Sequence, residues 1–319
     1  MKICIIGCGN HSRHVHGPSY RQYAERNHDV TLSACCDLNI GSAEEYARDF
    51  GFNRVYADYQ EMIIAESPDA VGIIVPVELT QEITEKVLVR DISCIIEKPP
   101  AEDVDGVKRL MDAVAQSGSQ LRVAFNRRFM PVIRALREQL ILNGEPIQHI
   151  DYEMHRVRRY NEDFSTTAIH GIDLVGFVGD SYKSVKITYQ DVDGPGYTAT
   201  NFFLDCMMSG DVTARLSFLP VTGHNAENIT VHTSSYTYIA QLPDCLSVYA
   251  SNQLVKQITP SEMGEGTIPF EVHGFYYEVA SFLDELREKG INTQGCIETT
   301  LQSVELAYAL RNRIRELCL

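Results

Sequence analysis

The N-terminal stretch Lys2-Ile3-Cys4-Ile5-Ile6-Gly7-Cys8-Gly9-Asn10-His11-Ser12 decides the fold of this chain. Its apolar run predicts a buried strand, which breaks at Gly-x-Gly-x-x-Ser, and a helical pattern follows from about Val15. Gly7 permits a tight turn, and Gly9, which lacks a Cβ, lets the backbone approach a pyrophosphate at the start of the helix. This order predicts a dinucleotide-binding unit; the alternative is an ordinary strand–turn–helix of another α/β protein.

Three polar residues complete this turn and are expected to lie beside the cofactor: Asn10, His11 and Ser12. Ser12 stands in the place of the third glycine and is small enough for close packing of the helix on the strand. His11, His14 and His16 crowd the same region. Their spacings differ from the i, i+4 spacing of helical metal ligands, so we predict that they line the phosphates or the crevice and that the chain has no metal site.

Composition and charge limit the class of protein. A chain of 319 residues, 44% hydrophobic and 22% charged, is expected to form about two globular domains. Its net charge of −15 argues against a nucleic-acid partner. The longest apolar runs are too short to span a bilayer, and no secretory signal pattern opens the chain. Nine scattered cysteines without a C-x-x-C pair indicate reduced thiols, so we predict a cytoplasmic protein with no membrane partner.

The first 125 residues alternate short apolar runs with helical patterns. The predicted strands cover residues 2–6, 30–36, 70–75, 93–97 and 121–125. The predicted helices cover residues 15–26, 42–50, 59–66, 78–90 and 103–116. Short apolar strands separated by helices indicate a doubly wound parallel sheet that is covered on both faces. Residues 1–125 are therefore predicted to form an α/β domain of the Rossmann type, with its ligand at the carboxyl ends of the strands.

Two residues at strand ends are expected to contact the cofactor. Asp37 follows the second strand, where a carboxylate accepts hydrogen bonds from the adenosine ribose and repels a 2′-phosphate. No arginine follows Asp37 directly, so we predict NAD rather than NADP as the cofactor. The alternative is an aspartate that only caps a helix or a turn. Pro76 ends the third strand and is expected at the same edge of the sheet.

The tetrapeptide Glu97-Lys98-Pro99-Pro100 ends the fourth predicted strand. Side chains at the carboxyl end of a central parallel strand point into the ligand crevice, so Glu97 and Lys98 are expected to reach it. Pro99 fixes the backbone after this pair, and a cis bond is compatible with that position. A desolvated lysine has a lowered pKa and serves as an acid or a base. The alternative is a surface ion pair ahead of a proline turn.

From residue 126 the pattern changes to alternating or β-branched runs joined by short polar turns. Predicted strands cover residues 148–156, 184–190, 198–204, 212–218, 228–233, 236–241 and 246–250. Helical patterns cover residues 131–143, 274–287 and 297–317. We predict a second, α+β domain over residues 126–319, with a large, mostly antiparallel open sheet. One face of that sheet can meet a partner, and the two late helices either cover the sheet or return to the first domain.

The run Thr166-Thr167-Ala168-Ile169-His170-Gly171-Ile172-Asp173 carries a second candidate for proton transfer. On a helix, His170 and Asp173 are neighbours on one face, and a histidine transfers protons near neutral pH. The alternative is a core histidine with satisfied hydrogen bonds. Three nearby arginines form either a charged face or the site of an anionic substrate, since arginine binds carboxylates with two hydrogen bonds. They are Arg156, Arg158 and Arg159.

Taken together, these stretches resemble the Gfo/Idh/MocA family of NAD(P)-dependent oxidoreductases. The matching features are Gly7-Cys8-Gly9-Asn10-His11-Ser12, Asp37, Glu97-Lys98-Pro99, Asn126-Arg127-Arg128-Phe129 and His170-Gly171-Ile172-Asp173. The resemblance implies a Rossmann domain, then an α/β domain with an open antiparallel sheet, and assembly into dimers or tetramers. It implies that Lys98 lies beside the nicotinamide and the substrate hydroxyl, and that His170 takes or gives a proton. It also implies sugars, inositols and related polyols as substrates.

The chain departs from this family at several positions. Thr166 stands where the family often has an aspartate four residues before the histidine, and a threonine forms hydrogen bonds but carries no charge. Asp163 or Glu162 is a candidate to replace that aspartate. Pro76-Val77 and Thr80 stand where the family commonly has Pro-Asn and a histidine. The proton relay is therefore the part of the resemblance that is altered.

From the sequence we predict an oxidoreductase that transfers a hydride between NAD and a hydroxyl-bearing carbon of a sugar, cyclitol or sugar-acid-like substrate. Lys98 is the predicted acid or base, and His170 assists it. Cofactor contacts are expected from Gly7, Gly9, Asn10, His11, Ser12, Asp37, Pro76, Glu97 and Lys98. Substrate contacts are expected from Lys98, Arg128, Thr166, His170 and Asp173. The alternatives are an NAD-binding regulator or scaffold without turnover, and a redox-neutral enzyme that retains its NAD. Assembly as a homodimer or homotetramer through the C-terminal sheet is expected.

Overall fold

Two sheets organise the chain, as the change of pattern near residue 126 indicates. The structure, a computed structural model, describes residues 1–160, 163–263, 266, 268–288 and 297–319. One unit is built from Met1–Asn126 and Ile268–Leu301, and the other from Arg127–Thr267 and Gln302–Leu319. Every cysteine in the described ranges has a free thiol. In the same ranges, no helix combines the length and the apolar character that crossing a membrane requires.

The first unit alternates strands and helices. Its elements up to residue 124 are β1 (Lys2–Ile6), α1 (Gly17–Arg26), β2 (Thr31–Cys36), α2 (Ile40–Phe50), β3 (Arg54–Tyr56), α3 (Tyr59–Glu66), β4 (Ala70–Ile73), α4 (Val77–Leu88), β5 (Ser93–Glu97), α5 (Val104–Ser117) and β6 (Leu121–Ala124). Side chains of Asn39, Asp58 and Asp103 accept backbone N–H bonds at the starts of α2, α3 and α5. These caps satisfy donors that the first turn of a helix leaves unpaired.

The strands of the first unit form the predicted parallel sheet. Among the described residues it has six strands in the order β3-β2-β1-β4-β5-β6. This doubly wound order confirms the Rossmann sheet. The order reverses between β1 and β4, so the carboxyl ends of β1, β2, β4 and β5 lie at one edge. β3 was not predicted from the sequence, because it has only three residues and no fully buried side chain.

The described residues of the second half of the chain form the larger sheet, four long helices and one short one. Its elements are α6 (Pro131–Asn143), β7 (His149–His155), α7 (Ser165–Gly179), β8 (Tyr182–Gly194), β9 (Tyr197–Met208), β10 (Thr213–Leu219), β11 (Ala226–His232), β12 (Tyr236–Gln241), β13 (Cys245–Ala250), β14 (Gln253–Ile258), α8 (Pro269–Val272), α9 (Phe275–Glu288), α10 (Leu301–Arg311) and β15 (Glu316–Cys318). In the described ranges, nine strands pair in the order β14-β13-β12-β11-β7-β10-β9-β8-β15. Only β7 and β10 pair in parallel, which confirms the mostly antiparallel sheet.

One face of the nine-stranded sheet is covered by helices. Side chains of α6, α7 and α10 pack with alternate residues of the strands into a single core, for example Leu136, Ile172 and Leu310 with Tyr152 and Leu204. The opposite face carries the intervening residues of the same strands, which lie outside this core. We call this surface the open face. Its existence follows from the period of two along each strand.

The two helical patterns near the end of the chain, over residues 274–287 and 297–317, have different outcomes in the structure. Helix α9 packs in the core of the first unit, where Phe282 and Leu283 lie with Ile3 and Ile5. The prediction of one helix over 297–317 is wrong, because α10 ends at Arg311. Arg313 then has a φ of +54°, and the chain reverses into β15, which pairs with β8. A backbone in the left-handed region cannot continue an α-helix.

Candidate active site

Gly7 holds the first turn close to the neighbouring strands. Its φ is +99°, its N–H donates to the Cys36 carbonyl at 2.8 Å, and a Cβ here would lie 2.0 Å from the Ile74 carbonyl oxygen. No side chain has room at this position, and an L-residue would be strained there. The fold itself therefore requires glycine at residue 7, whether or not a ligand binds.

Gly9 is needed for a different reason. A Cβ at this position would meet no atom of the described residues within 4 Å. Packing within the protein does not require glycine here, whereas a ligand that approaches the backbone closely does. The chain then enters the helical segment that leads into α1, and such a segment favours anions at its N-terminal end. This turn therefore fits a dinucleotide pyrophosphate.

Two of the residues between Gly9 and α1 have different environments: Ser12 packs in the interior, and Asn10 lies at the surface. Ser12 is fully buried, and its hydroxyl donates to the hydroxyl of Tyr46 in α2 at 3.0 Å. Asn10 is exposed, and its carbonyl oxygen accepts a hydrogen bond from His14 Nδ1 at 2.7 Å. Ser12 thus serves the close packing that the third glycine of such turns provides. The side chain of Asn10 stays at the surface of the turn.

Asp37 directly follows β2 and is bonded to the glycine turn. Its Oδ2 accepts the Cys8 N–H at 2.8 Å, and its Oδ1 accepts the Asn39 N–H at 2.9 Å. Each carboxylate oxygen has two lone pairs, so acceptor capacity remains for ribose hydroxyls. The bond to Cys8 has no signal in the sequence, because 29 residues separate the two groups.

A π-helical turn, Ser12–His16, decides where two of the histidines lie. It is closed by a backbone hydrogen bond of the i→i+5 type. His11 Nε2 lies 3.0 Å from Glu97 Oε1, and His16 Nε2 lies 2.7 Å from the same atom. In an α-helix, residues five apart differ by about 140° around the axis. The wider turn is therefore what brings both rings to one carboxylate, a contact that the sequence analysis missed.

Charges are concentrated around Glu97 at the end of β5. Burial disfavours ionisation of Glu97, but the two histidine hydrogen bonds outweigh it and hold the pKa of this carboxyl well below its usual range. The bond to Glu97 raises the pKa of His11, against burial and the nearby charge of Lys98. Lys98 is partly buried, and its peptide bond to Pro99 is cis. The ammonium group of Lys98 thus lies within electrostatic reach of His11.

The predicted cofactor residues therefore share one place in the first unit, the carboxyl ends of four neighbouring strands. They are Gly7, Gly9, Asn10, His11 and Ser12 after β1, Asp37 after β2, Pro76 after β4, and Glu97 and Lys98 at the end of β5. Pro76 precedes α4, and its carbonyl oxygen accepts a hydrogen bond from the buried Thr80 hydroxyl at 3.2 Å. Thr80, which replaces the family's histidine, is thus bonded within its own helix.

In the second unit, α7 carries Thr166 and His170 one turn apart on the same side. Both residues are partly buried, and the Thr166 hydroxyl donates to the Asp163 carbonyl at 3.3 Å. The Asp163 side chain accepts the Ser165 N–H at 2.9 Å, so it caps the start of the helix. Glu162, the other candidate for the absent aspartate, lies outside the described residues.

Glycines let α7 pack directly on the sheet. A Cβ on Gly171 would lie 2.1 Å from the Tyr152 ring, and one on Gly179 would lie 2.6 Å from Ile150 Cδ1. Both contacts are to β7, so a larger residue at either position would push the helix away from the sheet. Gly171 follows His170 directly, and it therefore fixes the depth at which the histidine lies. This packing role of Gly171 was not predicted from the sequence.

Arg128 and Asp173, both predicted substrate contacts, form a buried ion pair with two hydrogen bonds. Arg128 Nε lies 2.8 Å from Asp173 Oδ2, and Nη2 lies 2.5 Å from Oδ1. The hydroxyl of Ser303 in α10 donates to Oδ1 at 3.3 Å. The side chains of Arg128 and Asp173 are 3% and 0% exposed. In this structure the pair anchors α7, the helix of His170, and contact with substrate stays a prediction.

Arg156 is also engaged in an ion pair. With Arg127, it binds the buried carboxylate of Glu227 in β11. Burial disfavours ionisation of Glu227, but the two guanidinium groups outweigh it and lower its pKa to about 2. Arg158 and Arg159 are exposed. Arg156 thus has a structural partner, and an anionic substrate would be left to the two exposed arginines.

The fold and the turn around Gly9 define the class of protein as one with a dinucleotide-binding Rossmann domain. Residues 1–125 match the sequence profile of the Gfo/Idh/MocA oxidoreductases, which is described as an oxidoreductase family with an NAD-binding Rossmann fold. Over these residues the chain is similar to this family, and the resemblance predicted from the sequence is confirmed there.

Similar proteins include two sugar or cyclitol dehydrogenases. The chain is 33% identical over 144 residues to the D-glucoside 3-dehydrogenase of Escherichia coli, covering 45% of this chain and 40% of that protein. It is 31% identical over 202 residues to the inositol 2-dehydrogenase/D-chiro-inositol 3-dehydrogenase of Lacticaseibacillus casei, covering 59% and 56%. The chain thus matches about half the length of these curated relatives.

A solved structure shares the fold over the whole chain. It is a levoglucosan dehydrogenase in complex with NADH and levoglucosan, with a TM-score of 0.85 and 18% identity. The superposition covers 100% of this chain and 99% of that one. At this level of identity the similarity shows a common fold, and it leaves the substrate of this chain to be inferred.

Proposed function

We propose that this chain is an NAD-dependent dehydrogenase acting on a hydroxyl-bearing carbon of a sugar, cyclitol or sugar-acid-like substrate. The observation that carries the proposal is the arrangement at one edge of the parallel sheet. There Lys98 follows Glu97. The glycine turn has free space around Gly9 and leads into His11, whose ring is hydrogen-bonded to Glu97. The names of the relatives, which are dehydrogenases of glucosides and inositols, support the substrate class.

The residues of the first unit fit NAD as the cofactor. Gly9 leaves space for a close approach to the backbone, and the Asp37 carboxylate is held at the edge of the sheet by Cys8. A carboxylate at this position repels the 2′-phosphate of NADP. The residues that follow it, Leu38-Asn39-Ile40-Gly41, include no basic side chain that would neutralise such a phosphate. We therefore propose a preference for NAD over NADP.

Lys98 and His170 are the proposed proton-transfer groups. Bound NAD supplies the acceptor for the hydride and its electron pair. As the carbinol C–H bond breaks, an unprotonated Lys98 Nζ would take the hydroxyl proton, and the C–O bond would gain double-bond character. His170 passes that proton on or holds the neighbouring substrate hydroxyl. Thr166, one helical turn from His170, contributes a hydroxyl that donates and accepts hydrogen bonds but carries no charge.

Replacing Lys98 tests this mechanism. Lys98→Met keeps the length of the side chain and removes the amine, so we expect turnover to fall by roughly 10²- to 10⁴-fold while NAD affinity stays within about threefold. The assay follows reduced cofactor by absorbance across a panel of polyols and sugar acids. Thermal shifts with NAD and with NADP measure binding, because a ligand that binds only the folded state stabilises it.

Lys108→Met is the matched control, since Lys108 is an exposed lysine of α5 whose nearest carboxylate is 4.0 Å away. It should leave both turnover and binding unchanged. Full activity in the Lys98→Met protein would remove Lys98 from the mechanism. Loss of NAD binding in that protein would instead show that Lys98 holds the cofactor.

A second candidate function is an NAD-binding regulator without turnover. Thr166 favours it, because the family's aspartate at this place is absent and Asp163 is occupied in capping α7. The same panel separates the two functions. Tight NAD binding by the unmodified protein, with no reduced cofactor formed from any polyol or sugar acid, would favour the regulator.

A further inference from the structure

Three side chains of the first unit converge on one point: His11 Nε2, His16 Nε2 and Glu97 Oε1. These ligand atoms all lie within 4.8 Å of one another. We propose that this histidine–glutamate triad binds a divalent transition metal, with Zn²⁺, Co²⁺ and Ni²⁺ as the ions that fit it. The inference goes beyond the proposed dehydrogenase function and does not depend on it, because the metal alone is the ligand that is measured.

The backbone of the π turn is built to present both histidines. An i, i+5 pair lies on one side of the segment only because residues Ser12–His16 take the wider π geometry. Such insertions are uncommon and are frequent at functional sites. The spacing of these histidines differs from that of α-helical metal ligands, and the prediction of no metal site was based on that difference. The observed geometry removes that objection, and Glu97, 81 residues further along the chain, supplies the third ligand.

The donor set selects the class of metal. Two imidazole nitrogens and one carboxylate oxygen suit first-row transition ions, whereas Mg²⁺ and Ca²⁺ prefer oxygen ligands. With bonds of about 2.1 Å, the ligands of a tetrahedral ion lie about 3.4 Å apart. The present Nε2–Oε1 distances of 3.0 and 2.7 Å are hydrogen bonds, so small movements of the carboxylate and rings are enough to admit an ion. Three protein ligands leave at least one position open.

Aromatic side chains surround the two histidine rings. The ring of Phe275 lies edge-on to both His11 and His16, with centroids 5.9 and 6.5 Å apart, and Tyr20 stacks on His16 at 6.3 Å. Nδ1 of His16 is buried and has no hydrogen-bond partner in the described part of the chain. A ligand histidine usually donates this N–H to a partner that orients it. No described residue orients the His16 ring through Nδ1, so we expect a bound metal ion to exchange readily.

Direct titration tests the triad. The full-length protein, stripped with a chelator and free of NAD, is titrated with Co²⁺, and the visible ligand-field bands report its coordination. Calorimetry with Zn²⁺ gives the affinity and the number of sites. We expect one equivalent with low-coordinate Co²⁺ bands. His11→Ala and Glu97→Gln should each weaken it by roughly 100-fold or more, because even residues that only orient a ligand contribute about 10- to 100-fold.

His14→Ala is the matched control, because His14 lies in the same turn but bonds the Asn10 carbonyl. It should bind Co²⁺ as the unmodified protein does. His11 is half-exposed, so its replacement removes little core packing, and Glu97→Gln keeps the size of the side chain. Unchanged affinity in both triad variants, or an equal loss in His14→Ala, would overturn the proposal. So would loss of binding in His149→Ala, since His149 lies 3.2 Å from Asp151 in β7.

Discussion

At the scale of single residues, two glycines of one turn are required for different reasons. A Cβ on Gly7 would collide with the Ile74 carbonyl, whereas a Cβ on Gly9 would touch no described atom. We therefore expect Gly7→Ala to lower the free energy of unfolding by about 2–4 kcal/mol. Gly9→Ala should leave it within about 0.5 kcal/mol, yet weaken NAD binding roughly tenfold, or about 1.4 kcal/mol. Denaturant unfolding and calorimetry measure the two quantities.

The contrast between the two variants is its own control. Gly7→Ala should lose NAD binding only to the extent that it unfolds, so its folded fraction should bind normally at low temperature. A Gly9→Ala protein that is as stable as the unmodified chain and binds NAD equally well would contradict the assignment of this turn to the pyrophosphate. A destabilised Gly9→Ala protein would show that the turn is tighter than the structure has it.

The sequence predicts where the site residues lie along the sheet but not which residues they contact. The places of Asp37 and Lys98 follow from strand ends, since a parallel sheet collects its carboxyl ends at one edge. Their contacts do not follow, because the Cys8–Asp37 bond spans 29 residues. The same holds for the Arg128–Asp173 pair, which spans 45 residues. Such partners are chosen by tertiary packing, and no local pattern in the sequence records them.

At the scale of elements, Glu227 ties together three segments of the second unit. Glu227 lies in β11. Its carboxylate pairs with Arg127, which precedes α6, and with Arg156, which follows β7. It also accepts a hydrogen bond from the Tyr152 hydroxyl of β7 at 2.8 Å. Its pKa is lowered to about 2 from an ordinary value near 4.5. A lowered pKa means that the unfolded chain binds the proton more tightly than the folded one does. The stabilisation is therefore complete above about pH 4.5 and is lost as the pH falls towards 2.

Glu227→Gln tests this pH dependence. At pH 7 we expect the variant to be less stable by about 3–5 kcal/mol, because two buried guanidinium groups lose their counter-charge. The difference from the unmodified chain should shrink by on the order of 3 kcal/mol between pH 5 and pH 2. Hydrogen exchange of the β7 and β11 amides, compared between the two proteins at each pH, reports the local stability. A difference that stays constant with pH would contradict the proposed coupling.

Elements were predictable from sequence where burial leaves a pattern. The central strands of the parallel sheet are short apolar runs, as β1 and β4 show, and their burial on both faces is visible in composition alone. The edge strand β14 was missed because its residues are mostly exposed and do not alternate. β15 was missed because Glu316–Cys318 continues a helical pattern until the backbone turns at Arg313. The π turn has no signal of its own either, since its histidines are positioned by a distant carboxylate.

At the scale of the whole molecule, the open face of the nine-stranded sheet bears on assembly. It presents partly buried apolar residues such as Phe203 and Ile239, and also a stacked pair of histidines, His149 and His232. Phe203 and Ile239 lie outside the core that fills the other face. We propose that two copies of the chain associate through this face. Each copy carries a net charge of −15, so association should strengthen as salt screens the repulsion.

Ile239→Asp tests this association, because it adds a charge to the open face, on β12, without touching the core. Light scattering after size exclusion should show the unmodified chain at twice its 35.9 kDa mass or a higher multiple, and the variant at the mass of one copy. Leu142→Asp is the control; Leu142 is 73% exposed on α6, away from the sheet, so that protein should assemble normally. Burying a lone carboxylate costs several kcal/mol, which is enough to dissociate a micromolar dimer. A variant that keeps the full assembly mass would place the interface on another surface.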